Sequence, residues 1–300
     1  VAPFAPVTLR DPSSSLTATY VPAAGMICSS LADSGVEFLG QRRGLQAYVD
    51  DGKTMGVPIL YPWANRLSDT RYDVNGATVT LTPGANGVRK DSKGPVIHGV
   101  LAADPTWLVT EQTDNRLVAV LDWGGQPRLL ATFPFPHLLT MAVTLADRTL
   151  TVETTVRATT AASVPLCYGY HPYLTVPGVP RAQWQLETPA MRRRPVDDHG
   201  LPTGVTEQWT GGAEALGGRE LDDGFDGVPE GAVFTLSGGE HRVEVHYTSG
   251  YPAAQLFAPG TDDVVGIEPM AAPTDALCRG GYRTAAPGTP DTATFSIRVA

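Results

Sequence analysis

The chain has 300 residues, is 42% hydrophobic and 18% charged, and carries a formal net charge of -9. Acidic residues spread along the chain disfavour a nucleic-acid partner, which needs a basic face, and no apolar stretch reaches the roughly 20 residues of a membrane-spanning helix. Cys28, Cys167 and Cys278 offer no CxxC pair, so neither a disulfide framework nor a zinc site is expected, and a reduced, cytoplasmic protein is the simpler reading.

VAPFAPVTLR has no charged start followed by an apolar run, so no signal peptide is expected. The 32 glycines and 26 prolines are scattered, which disfavours long helices, because a proline in a helix interior costs about 3 kcal/mol. Short helical turns are allowed only near Leu31 to Gly44 and in EALGGRELDDG, residues 214–224. ATVTLT (77–82) and RLVAVLDW (116–123) read as strands. MAVTLADRTLTVETTV (141–156) alternates on both sides of Asp147-Arg148 and predicts a hairpin with one buried face. AVFTLSGGEHRVEVHY (232–247) predicts another, turning at Gly238-Gly239, and ATFSIRVA adds a last strand. No linker or repeat divides the chain. The expectation is one all-β domain, residues 1–300, built as a large antiparallel β-sandwich.

Several segments place polar residues in apolar surroundings. MGVPILYPWANRL (55–67) ends in Asn65 and Arg66; an arginine buried there needs a core carboxylate or a ligand. Trp63 either packs in the core or offers a face to a sugar. His98 in PVIHGVL (95–101) is either a core histidine or a working one. In YGYHPYL (168–174), Pro172 holds His171 in extended backbone, and Tyr170 and Tyr173 supply aromatic walls. Arg192, Arg193 and Arg194 read as a solvated edge. ELDDGFDG (220–227), with Asp222, Asp223 and Asp226, lacks EF-hand spacing and reads as a solvated acidic turn. In VVGIEPMAAP (264–273), Glu268 closes an apolar strand, so it is expected to be paired or to titrate high. Pro269 lacks a ladder N–H and is expected to end that strand. His137, His199, His241 and His246 are given no function. Two histidines, a carboxylate and an arginine form a proton-transfer set. No GxSxG, HExxH or phosphate loop is present, and no metal site is expected.

PWANRL, IHG, YHPYL, LDDGF, AAQLF and GIEPM, in that order, resemble the aldose 1-epimerase (galactose mutarotase) family from about Gly56 to Gly280. SSLADSGVEFLGQRRGLQAY is similar to its bacterial branch. The resemblance implies a galactose mutarotase-like supersandwich acting on a small monosaccharide such as glucose or galactose, with no cofactor and no metal. It implies Glu268 as the base, His171 as the acid and His98 beside the ring oxygen. Arg66, Asp222 and Gln255 would hold sugar hydroxyls, Asn65 would shape the site, and Trp63, Tyr170 or Tyr173 would face the sugar. Pro172 stands where the family usually has threonine, and Asp223 where it often has histidine; both bear on substrate choice. The same resemblance admits a hexose 6-phosphate substrate, with Arg42, Arg43, Arg71 or Arg192–Arg194 as phosphate partners, or a sugar-binding protein without turnover.

Overall fold

The computed structural model describes residues 4–74 and 76–300. Two large antiparallel sheets dominate it. The first has nine strands in the order Leu108–Gln112, Arg116–Asp122, His137–Ala146, Thr149–Ala158, Asp291–Val299, His241–Ser249, Ala232–Gly238, Gln185–Thr188, Gly212–Ala215. The second has eight. Its central run is Met191–Arg194, Leu221–Asp226, Ala253–Ala258, Val265–Met270 and Gly169–Tyr170, with Tyr173–Leu174 also pairing Val265–Met270. Alternation explains how the sheets meet. Leu139, Met141, Val143 and Leu145 point inward, as do Leu150, Val152 and Val156 on the next strand, and all are buried. Leu256, Val265 and Ile267 of the second sheet share one apolar cluster with them. Each buried side chain of this kind contributes roughly 1.5–3 kcal/mol. Gln255, Phe257 and Glu268 alternate with those residues and therefore face the opposite side of the second sheet.

The sandwich, the strands and the first hairpin follow the sequence reading. Asp147 and Arg148 form a two-residue turn with φ +52 and +58, the primed geometry that suits hairpin twist. Both of their N–H groups donate to the Asp11 carboxylate. Several expectations need correction. The second hairpin turns at Gly239-Glu240, because Gly238 stays in the ladder opposite His241. The helix expected near Leu31 to Gly44 is Gly44–Asp51 instead, and Glu37 ties the preceding segment into a strand pair by accepting the N–H groups of Leu31 and Leu39. EALGGRELDDG is not helical: it contributes to strands Gly212–Ala215 and Leu221–Asp226. The acidic stretch is thus an interior strand, and Arg192–Arg194 on the neighbouring strand are its cross-strand partners rather than a free edge. The strand holding Glu268 runs on through Pro269 to Met270, with Ala271 N–H donating to Tyr168 O just beyond the proline.

All three cysteines are free thiols. Among the described residues, no helix is long and apolar enough to cross a membrane.

Candidate active site

Register assembles the site. Gln255 pairs with Glu268, Gly224 with Gln255, Asp222 with Phe257, and Tyr173 with Gly266. Asp222, Gln255, Phe257, Glu268 and Tyr173 therefore project from one sheet face into a cavity of about 110 Å³. Arg66 and Ile97, paired on a two-stranded ribbon, close it together with Asn65, His98 and His171.

His171 Nε2 lies 3.2 Å from Glu268 Oε1, and both side chains are almost fully buried. Burial pushes the Glu268 carboxyl well above its usual range, with Asp222 adding to the rise and Arg66 opposing it. Burial pulls the His171 imidazole well below 6.5, helped by His98 and Arg42. Each of these shifts favours the uncharged form, and at 3.2 Å the two groups are close enough for their titrations to be linked. A pair that carries one proton is an acid and a base at once. Among the described residues, His171 Nδ1 and Glu268 Oε2 have no hydrogen-bond partner.

The approach of His171 depends on a glycine. A Cβ at Gly266 would stand 2.9 Å from His171 Cε1, closer than carbon atoms tolerate. His98 is fixed by its backbone neighbours. Its Nδ1 accepts the Asn65 N–H at 3.2 Å, so the neutral ring carries its proton on Nε2. Burial, with Arg89 and Arg66 nearby, pulls His98 down to about 3, which keeps the ring neutral at neutral pH.

Arg66 donates from Nε to Asp91 Oδ2 at 2.5 Å and from Nη1 to Asn65 Oδ1 at 3.3 Å, and Nη2 lies 3.6 Å from Asp222 Oδ2. It is a partly buried arginine with the carboxylate partner that the sequence allowed. Gln255 Nε2 donates to Asp222 Oδ1 at 2.8 Å. Tyr173 stacks on His171 with centroids 4.0 Å apart, and Phe257 meets both rings edge-on.

Two aromatic expectations are corrected. Trp63 does not line the cavity; it is 1% exposed and belongs to the core. Tyr170 is also a core residue, bonded to Thr154 and packed on Phe295. Phe257, Ile97 and Asp91 were missed. Phe257 had a usable signal, since it stands two residues from Gln255 on the same strand face. His137, given no function, is fully buried and bonded to Tyr61 and Phe135.

The aldose 1-epimerase family pattern matches residues 8–292. The chain belongs to the aldose 1-epimerase family. A curated relative, the aldose 1-epimerase of Escherichia coli (strain K12), is 28% identical over 201 residues, a stretch covering 65% of this chain and 52% of that protein. The chain thus matches about half the length of that relative. Two solved structures share the fold. The Slr1438 protein from Synechocystis sp. PCC 6803 has a TM-score of 0.81 at 22% identity, covering 99% of this chain and 96% of that one. A galactose mutarotase-like protein from Clostridium acetobutylicum has a TM-score of 0.82 at 19% identity, covering 96% and 93%. Of the two departures from the family's usual residues, Asp223 lies across the sheet from Asp222 and is held by Arg193 at 2.8 Å, away from the cavity. Pro172 lies between His171 and Tyr173, and its carbonyl accepts the Ile267 N–H at 3.3 Å.

Proposed function

We propose that the protein is an aldose 1-epimerase, a mutarotase that interconverts the α and β anomers of a free aldose such as glucose or galactose, with residues 1–300 acting as one domain. The observation that carries this reading is the His171–Glu268 contact of 3.2 Å inside a cavity of hydrogen-bonding groups and two aromatic rings. In the reacting form His171 carries the pair's single proton and Glu268 is ionised: Glu268 takes the proton of the anomeric hydroxyl while His171 gives its proton to the ring oxygen. The C–O bond of the ring breaks and a carbonyl forms. Rotation about the bond beside that carbonyl exposes its other face. On closure Glu268 returns a proton to the anomeric oxygen and His171 takes one back, so the pair ends with the proton it began with. His98 donates its Nε2–H toward the ring oxygen. Arg66, Asp222 and Gln255 hold hydroxyls, Asn65 holds His98 and Arg66 in place, and Tyr173 and Phe257 present apolar faces. Each positioned transfer typically supplies about 10²–10⁴-fold.

A free sugar is favoured over a phosphorylated one by the state of the nearby cations. Arg66 is paired with Asp91, Arg42 with Asp262, Arg192 and Arg194 with Asp226, and Arg193 with Asp223 and Glu207. Lys93 lies 3.6 Å from Asp222. A phosphate would compete with a carboxylate for each of them. A binder without turnover has no use for a proton-sharing pair. The test is polarimetry of freshly dissolved α-D-glucose and α-D-galactose at neutral pH. Faster approach to the same final rotation supports the reading; no acceleration with either sugar, or with other free aldoses, refutes it.

A further inference from the structure

Arg42 has no part in the chemistry above, yet it is tied to the site at several points. Its backbone is left-handed, with φ +44, a conformation that costs a residue with a Cβ on the order of 1 kcal/mol or more. Nε and Nη2 both donate to Asp262 Oδ2, at 3.1 and 2.9 Å. The guanidinium carbon stands 4.8 Å from the Tyr173 ring centroid and 6.0 Å from that of Phe257. The Tyr173 ring lies against His171 at 4.0 Å and 14°, and its hydroxyl bonds Thr54 Oγ1 at 2.6 Å. Guanidinium, phenol and imidazole follow one another toward the His171–Glu268 contact.

Building on the epimerase reading, we propose that Arg42 is a positioning residue for His171: tethered by Asp262, it clamps Tyr173 against the imidazole, fixing the plane from which that ring meets the sugar and the charge it feels. The stack supports this because a cation over an aromatic face holds that face in place. The charged and titratable groups facing His171 are Glu268 at 3.2 Å, His98 with centroids 5.7 Å away, Tyr173, and Arg42 beyond it. An ionised Glu268 favours a protonated His171. Arg42 opposes it, which makes His171 a readier proton donor.

The test is an NMR titration of His171 in the wild-type protein, Arg42→Met and Arg42→Lys, together with mutarotation kinetics against pH. In Arg42→Met the His171 midpoint is expected to rise and kcat to fall roughly tenfold, with KM changed less than about twofold. Arg42→Lys restores the charge and is expected to return the midpoint toward the wild-type value. A midpoint in Arg42→Met that equals or falls below the wild type's overturns the proposal, as does a raised KM with kcat intact. The titration needs no sugar. A wild-type protein without mutarotase activity would refute the proposed function, and the titration would still decide the role of Arg42.

Discussion

Asn65 and His98 hold each other through two hydrogen bonds. The Asn65 N–H donates to His98 Nδ1 at 3.2 Å, and the His98 N–H donates to the Asn65 carbonyl at 2.9 Å. Both backbones are left-handed, with φ +56 and +61. Residues with side chains occupy that region at a cost, and mutual bonds of this kind keep them there. Gly99 follows with φ +64, where a Cβ would stand 2.0 Å from the Tyr61 carbonyl oxygen. Two segments 33 residues apart are locked together, which aims the His98 Nε2–H at the cavity.

Replacing the proposed base should separate chemistry from binding. Glu268→Gln keeps the shape but cannot accept a proton, so kcat is expected to fall about 100-fold or more, with sugar affinity within a few-fold. Polarimetry and calorimetric titration check this. A variant with wild-type kcat would show that Glu268 is not the base.

The pH–rate profile should be a bell. Below the depressed midpoint of His171 the pair holds two protons and has no base. Above the raised midpoint of Glu268 it holds none and has no acid. The acid limb is expected below 6.5 and the alkaline limb above 4.5, and both apparent values belong to the pair. A rate rising or falling in one direction only across the stable pH range would sink the single-proton scheme.

Gly266→Ala tests the approach of His171. The added methyl group meets the imidazole at 2.9 Å and must displace it. A loss of about 1–3 kcal/mol in stability is expected from overpacking. A fall of roughly 100-fold in kcat/KM is expected from the shifted ring. Denaturant unfolding and kinetics measure the two effects, and unchanged kinetics would mean that His171 can move without consequence.

His137 should make the fold sensitive to acid. Its folded value is pulled from 6.5 down to about 4, chiefly by burial. As pH falls, the unfolded chain takes up this proton before the folded one, so stability is lost between about 6.5 and about 4 and changes little below that for this group. The gap is worth on the order of 3 kcal/mol. Urea unfolding at pH 7 and pH 4.5 should show a smaller pH effect in His137→Gln than in the wild type; equal effects would remove His137 from the account.

Trp63→Phe separates a core residue from a sugar platform. Trp63 is buried away from the cavity, so a stability loss of roughly 1–3 kcal/mol with KM within about twofold is the expected outcome. A tenfold rise in KM for the sugar would restore the platform role.

The sequence by itself determined the strands, because alternation with period two is a local property: Leu139 to Leu145 and Leu150 to Val156 show it without any partner. It also marked Asn65, Arg66, His98, His171, Asp222, Gln255 and Glu268, through the cost of placing polar groups among apolar neighbours and through the order of the family's short motifs. Tertiary structure decided which of them meet, since pairing between distant strands leaves no local trace. The Gln255–Glu268 register and the bend at Asn65 are such facts. Trp63 stands three residues from Arg66, so even unbroken alternation sets the two on opposite sides; only the fold decides which side is the core, and it places Trp63 there and Arg66 at the cavity. The acidic strand Leu221–Asp226 was misread for a related reason. Its aspartates look solvated until the arginines of the next strand are set beside them. The 3.2 Å contact of His171 with Glu268 arises only where a glycine on one strand lets a loop from another descend onto it.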